Sequence, residues 1–245
     1  MFLNTFKNNF IKSRRWLSSS AFNQRRMDPI QVEAFLNEQC ILVDSKDTAI
    51  GQLSKKDCHL VKPDGSIPLH RAFSVFFFNK KGDLLLHTRS KSKITYPGLF
   101  TNSCCSHPLA NIEGDSEEKD ALGVKRAAQR RLNYELGIPI KFIPLEEFIY
   151  ITRVKYVDYE NGIWGENELE YILFFRGDVP IEPNPSEISK IIFISKKEFE
   201  YLSTMDEPIS PCSSPIAKHF LRFWWDNLEN LNGIIDEDNI HDLGN

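Results

Sequence analysis

Asp120-Ala-Leu-Gly-Val-Lys-Arg-Ala-Ala-Gln-Arg-Arg-Leu-Asn-Tyr-Glu-Leu-Gly-Ile-Pro139 is the stretch on which the fold turns. Apolar residues return at helical spacing (Ala121, Val124, Ala127, Ala128, Leu132), and Gly137 followed by Pro139 closes the run. The spacing predicts one helix over residues 120–136. Around it lie short runs of strand character: residues 40–44, 71–79, 84–88, 149–156, 169–176 and 191–194. Asp64-Gly65, Lys80-Lys81-Gly82-Asp83 and Asn161-Gly162 read as turns. Further helices are predicted over 29–39, 196–202 and 215–231, the last carrying Phe220, Phe223, Trp224 and Trp225. Helices and strands mix without regular alternation, which predicts an α/β (α+β) fold, a mixed sheet sandwiched between helices. No internal repeat or long linker divides the chain, so one domain over residues 27–245 is expected.

Composition narrows the function. Of 245 residues, 41% are hydrophobic and 26% charged, values that suit a globular protein with a sizeable core. No run approaches ~18 apolar residues, so no membrane span is expected. Residues 1–26 carry Lys7, Lys12, Arg14, Arg15, Arg25 and Arg26 with no acid. The remainder holds 24 basic against 34 acidic residues and is a poor nucleic-acid partner, because such binding needs basic surface to displace counterions. The acid-free segment, rich in Ser and Asn with scattered aromatics, resembles a mitochondrial transit peptide; a product starting at Met27 would stay in the cytosol. The five cysteines (Cys40, Cys58, Cys104, Cys105, Cys212) are an odd number, which suits a reducing compartment and free thiols.

Two segments carry chemistry. Thr101-Asn-Ser-Cys-Cys-Ser-His-Pro108 sets Cys105 two residues from His107, and Trp164-Gly-Glu-Asn-Glu168 sets Glu166 two residues from Glu168. Alternate residues of a strand share a face, so each pair can point into one pocket, while Cys104 faces away. With His59 and His70 these groups make an N/O set suited to Zn²⁺, Mn²⁺ or a similar ion. Spacing alone does not establish a metal site, since a lone His is more often structural and a Cys pair more often core.

Read in order, Cys58-His59-Leu60, Leu69-His70-Arg71-Ala72-Phe73-Ser74, Arg89 with Lys93-Ile-Thr-Tyr-Pro-Gly98, Thr101 through Pro108, Arg126-Ala-Ala-Gln-Arg-Arg131, Glu135-Leu-Gly137 and Gly162-Ile-Trp-Gly-Glu-Asn-Glu168 resemble the type I isopentenyl-diphosphate isomerases. The resemblance spans residues 32–231. It implies a Nudix-like fold and the interconversion of isopentenyl and dimethylallyl diphosphate. It also implies roles: Glu168 helped by Tyr156 delivers a proton, and Cys105 removes one from the opposite face. Lys55, Arg89, Lys93, Ser106 and Arg131 grip the diphosphate. His59, His70, His107, Glu166 and Glu168 surround a divalent ion (Mg²⁺, Mn²⁺ or Zn²⁺), and a second ion, Mg²⁺, bridges the diphosphate and Glu135. No flavin or nucleotide is implied, the partner is a small diphosphate, and oligomeric state stays open.

In a Nudix hydrolase resembling this pattern, Arg131 and Tyr134 would be glutamates that hold metal; here only Glu135 remains. Losing two carboxylates weakens a hydrolytic Mg²⁺ clamp. The alternatives are a Nudix diphosphohydrolase and a catalytically weakened metal-binding homologue. One departure favours the latter: Cys212 follows Pro211 where the family usually carries a tryptophan to steady a carbocation.

Overall fold

The computed structural model describes residues 29–160, 162–203 and 216–244. The transit-peptide expectation (residues 1–26), Asn161 and Cys212 lie outside these residues.

The strands are β1 (Gln39–Val43), β2 (Ala49–Ser54), β3 (His70–Phe78), β4 (Leu84–Arg89), β5 (Phe100–Thr101), β6 (Cys104–Ser106), β7 (Ile149–Asp158), β8 (Glu166–Arg176), β9 (Ile188–Ile194) and β10 (Asp236–Asp242). The helices are α1 (Pro29–Asn37), α2 (Lys55–His59), α3 (Leu122–Leu136), α4 (Lys196–Ser203) and α5 (Arg222–Asp226). One mixed sheet holds all ten strands in the order β10-β7-β8-β3-β1-β2, with β4, β5, β6 and β9 branching from β3 and β4. β3 is the hub: it runs parallel to β8 along its whole length and antiparallel to β6.

A strand buried on both faces reads as continuous apolar sequence, and Val75 through Phe78 of β3 do so. Its odd-numbered residues Phe73, Val75 and Phe77 pack under α3 against Val124, Ala127, Ala128 and Leu132. Its even-numbered Phe76 and Phe78 meet Phe174 of β8 and Trp224 and Trp225 of α5 on the other face. The ring centroids there stand 5.2–5.9 Å apart, each pair adding about 0.5–1.5 kcal/mol beyond burial. The sheet is therefore covered on both faces, as expected.

Several boundaries differ from the sequence reading. The central helix starts at Leu122 because Asp120 and Ala121 take left-handed φ values of 54° and 53°. It ends at Gly137, also left-handed at 64°, where a Cβ would stand 2.1 Å from the Glu182 carbonyl oxygen. The single helix expected over 215–231 is broken. A π-helical turn (Ala217–Leu221) leads into α5, Asn227 leaves helical geometry at φ −105°, ψ 17°, and a 3₁₀ segment (Leu228–Ile234) follows. β2, β5, β10 and α2 were not anticipated. No described helix is long and apolar enough to cross a membrane.

Candidate active site

Alternation along three adjacent strands builds the site. β3 presents His70, Ala72, Ser74, Phe76 and Phe78 to one face, and β8 presents Glu166, Glu168, Glu170, Ile172 and Phe174 to the same face. That face is polar at one end and aromatic at the other. In the polar half His70 lies level with Glu168, and Cys105 of β6 lies level with Ser74. Cys104 points the other way into the core, as the alternation requires. Tyr156 of β7 pairs with Glu168 from the opposite edge, and its hydroxyl bonds Glu166 Oε2 at 2.9 Å and Glu168 Oε2 at 2.7 Å.

The one-turn helix α2 supplies two more groups. Ser54 caps it, its Oγ accepting the Asp57 N–H at 3.1 Å, and the i, i+4 spacing brings Lys55 and His59 to one side. His59 Nδ1 donates to the Lys55 carbonyl at 2.7 Å, and His70 Nδ1 donates to that of Pro68 at 3.0 Å. With those protons committed, Nε2 of each ring keeps its lone pair and faces Glu168, at 3.7 and 3.4 Å. His107 Nε2 stands 2.9 Å from the same Glu168 Oε1.

His59, His70, His107 and Glu168 thus offer four ligand atoms within 4.8 Å of one another, all from buried residues. Burial pulls His107 down to about 3 and lowers His59, which favours the neutral, metal-ready imidazole. Burial is the largest influence on His70 and lowers it, but the nearby Glu168 carboxylate, Cys40 and the Pro68 carbonyl together outweigh it and leave it raised. For Glu168 burial is outweighed by the three imidazoles, which hold its carboxyl well below the usual range. His70 Nε2 has no hydrogen-bond partner in the structure, as a lone pair reserved for a cation should be. Three imidazoles and one carboxylate fit a borderline divalent ion. Glu166 stands outside this four-group cluster, held by Tyr156.

A cavity of about 50 Å³ lies beside the cluster. Lys55, His59, Arg89, Lys93, Cys105, Ser106, His107, Arg131, Glu166 and Glu168 line it, so ten of the thirteen site residues read from the sequence converge there. His70 and Tyr156 stand behind the wall. Glu135 is also outside the lining, its Oε1 accepting two hydrogen bonds from Arg131 at 2.6 and 2.9 Å. That oxygen is committed to a guanidinium, which leaves Oε2 as the Glu135 atom on which the expected diphosphate-bridging ion would have to sit. Trp164 packs behind Phe35, with centroids 5.2 Å apart, and the aromatic walls are Phe35 and Tyr96.

Sequence reasoning missed Glu170. Fully buried, its Oε1 accepts the Ser74 hydroxyl at 2.6 Å and the Cys105 thiol at 3.2 Å. The alternation that paired Glu166 with Glu168 extends one step further to reach it. Also missed were Glu38 and Glu187, which bind Lys55 and Lys93 at 2.8 and 2.5 Å. No short motif announces them, because the pairs join residues 17 and 94 positions apart.

Comparison with known proteins places this geometry. Residues 68–216 match the NUDIX domain family. Isopentenyl-diphosphate Delta-isomerase 1 of Mus musculus is 48% identical over 225 residues, covering 90% of this chain and 98% of that one. The chain belongs to the isopentenyl-diphosphate Delta-isomerase family.

Other members of this isomerase family agree. The chloroplastic Isopentenyl-diphosphate Delta-isomerase I of Arabidopsis thaliana is 42% identical, covering 84% of this chain and 73% of that one. Among solved structures, DR0079 from Deinococcus radiodurans aligns with TM-score 0.52 at 16% identity, over 75% of this chain and 99% of that one. That likeness concerns the fold alone. The Nudix-like α/β fold expected from the sequence is thereby shown for this isomerase-family chain.

Proposed function

We propose that the protein interconverts isopentenyl diphosphate and dimethylallyl diphosphate by adding one proton and removing another, in isoprenoid biosynthesis. One observation carries the mechanism: the Cys105 sulfur, a Glu168 oxygen and a Glu170 oxygen come within 4.8 Å of one another. The double bond moves by one carbon. Glu168, helped by Tyr156, delivers the proton shared in their 2.7 Å hydrogen bond to the terminal methylene and leaves a tertiary carbocation. Cys105 takes a proton from the carbon on the diphosphate side, and the electron pair of that C–H bond closes the new double bond. One proton enters and one leaves, so no redox partner or phosphate release is required.

Lys55, Arg89, Lys93, Arg131 and Ser106 bind the diphosphate and orient the tail. The buried wall of Phe35 and Tyr96 excludes water and offers π-faces to the cation. His59, His70, His107 and Glu168 would hold a divalent ion, with Glu166 flanking them; the ion, when bound, fixes the Glu168 carboxylate and withdraws charge from it. A cavity of about 50 Å³ holds only a few waters, so the walls part when the five-carbon diphosphate enters.

The test is an assay with isopentenyl diphosphate and Mg²⁺, followed by product separation. Dimethylallyl diphosphate without phosphate release is expected. Phosphate release without isomer would make the protein a hydrolase, and neither product from folded, metal-loaded protein would make it a binding homologue. Residues 1–26 are further proposed as a mitochondrial presequence ahead of one domain beginning near Met27, on their basic, acid-free composition. Mass spectrometry of protein from purified mitochondria should find that segment removed; full-length chain there would refute it.

A further inference from the structure

The cations of the cavity are already partnered. Lys55 holds Glu38, Arg131 holds Glu135, and Arg89 spends its guanidinium on the Thr95 carbonyl at 2.9 Å. Glu187 differs from the other two carboxylates because it reaches two cavity cations at once. Its Oε2 lies 2.5 Å from Lys93 Nζ and 3.5 Å from an Arg131 nitrogen, while Oε1 accepts from Gln31 Nε2 at 2.8 Å. Glu187 is 5% exposed and does not line the cavity. Its backbone is tied on both sides: its N–H donates to the Asn184 carbonyl at 3.0 Å, and its carbonyl accepts the Ser90 N–H at 2.8 Å. A fixed carboxylate therefore touches two of the groups that a diphosphate must engage.

Resting on the isomerase reading, we propose that Glu187 is a placeholder anion: it holds Lys93 and Arg131 in the empty site and competes with the diphosphate for them. Unpaired buried cations are costly, so the empty site gains stability from an internal anion. Burial draws the Lys93 ammonium down to about 8 even with Glu187 beside it, so this carboxylate helps keep it charged until substrate arrives. When diphosphate binds, it must share both cations with a carboxylate whose backbone cannot withdraw, which lowers its affinity.

The purpose follows from the reaction. Substrate and product carry the same diphosphate, so gripping that tail more tightly stabilises both alike and adds nothing to the chemical step. A built-in competitor weakens the grip uniformly and speeds product exit. Glu187 thus acts as a positioning and affinity-setting residue, without touching the reacting carbons.

The experiment compares inorganic diphosphate binding, by titration calorimetry at pH 6.5 with Mg²⁺, between wild type and Glu187→Gln. The amide keeps the size and hydrogen-bonding oxygen but loses the charge. The variant is expected to bind on the order of tenfold tighter, since one charged competitor for two buried cations has gone. Its empty form should melt below wild type, with diphosphate closing most of the gap, and KM for isopentenyl diphosphate should fall. A residue serving only structure would move affinity the other way. Glu187→Asp, which keeps the charge one methylene further back, should lie between the two and carries the test if the Gln protein does not fold. Equal or weaker binding in both variants, with wild type binding normally, overturns the placeholder alone. Wild type that ignores diphosphate overturns the functional reading and the placeholder with it.

Discussion

Asp47 and Glu168 are both buried carboxylates served by β3 and β8, one on each face of the sheet. Asp47, in the β1–β2 turn, accepts from Arg71 Nε at 2.8 Å, from Arg153 at 3.1 Å and from the Tyr171 hydroxyl. Glu168 faces three imidazoles and the Tyr156 hydroxyl. Arg71 and Tyr171 are sequence neighbours of His70 and Glu170, so a step of one residue separates the two environments. The difference lies in the partners. Guanidinium groups stay charged and finish the electrostatics of Asp47, whereas neutral imidazoles leave Glu168 among lone pairs that a cation can complete. A buried carboxylate ringed by permanent cations is a rivet; one ringed by imidazoles is available for chemistry.

The strongest way to break this contrast is to remove the reacting groups. Cys105→Ala and Glu168→Gln are each expected to cut kcat by at least about 10³-fold, as for groups that transfer protons in the transition state. Their circular dichroism should match wild type. Turnover within tenfold of wild type in either variant would strip that residue of its role. The opposite face should answer oppositely. Asp47→Ala is expected to lower unfolding free energy by roughly 3 kcal/mol, because it removes the buried carboxylate that Arg71, Arg153 and Tyr171 share, while leaving kcat per folded molecule near wild type. Denaturant titration beside the isomer assay reads both; a stable, inactive Asp47→Ala would collapse the distinction.

Much of the chemical face was legible because it depends on period-two alternation, which sequence displays directly. Cys105 and His107, Glu166 and Glu168, and the turning away of Cys104 all follow from that rule. The helix closed by Gly137 was equally plain, since φ > 0 and a close backbone approach call for glycine there. β10 was hidden because Asp236-Glu-Asp-Asn-Ile-His-Asp242 has poor strand propensity; it forms by pairing in parallel with β7, a tertiary effect. The break at Asn227 escaped for a related reason. Trp225 anchors the chain by donating its indole N–H to the Gly82 carbonyl at 2.9 Å, a contact no periodicity reports. Glu38, Glu187 and Asp47 were illegible because their partners are distant in sequence, and a lone acid reads as solvated surface until the fold brings a cation to it.

Chelation gives a gentler test of the same contrast. If Glu168 and the imidazoles hold an ion, adding a chelator should lower stability by roughly 3 kcal/mol relative to metal at a hundred times its Kd. The drop should disappear in His70→Ala, which removes a ligand, and persist in a background altered at Arg153, which pairs with Asp47 and the Glu237 carbonyl instead. Identical melting curves with and without chelator in wild type would remove the metal from the account.

His87 sharpens the comparison with the smallest effect, because it is a buried imidazole outside the cluster. It is 3% exposed, and its Nδ1 donates to the Ser103 carbonyl at 3.2 Å. Burial lowers its pKa to about 4; Glu135 pulls upward, while Arg89 and Lys93 push further down. The folded value lies below the unfolded value of about 6.5, so as pH falls the unfolded chain takes a proton that the folded protein refuses. This part of the stability is therefore complete above pH 6.5, declines as pH falls towards 4, and levels off below. Between pH 7 and 5.5 the loss should be roughly 1–2 kcal/mol. His87→Gln removes the titrating ring, and the remaining histidines cancel when variant and wild type are compared at each pH. Urea titrations at pH 7 and 5.5 should show the wild type losing more stability than the variant by that amount. Parallel losses would mean that His87 accepts its proton inside the folded protein, and burial alone would then not separate a structural imidazole from a ligating one.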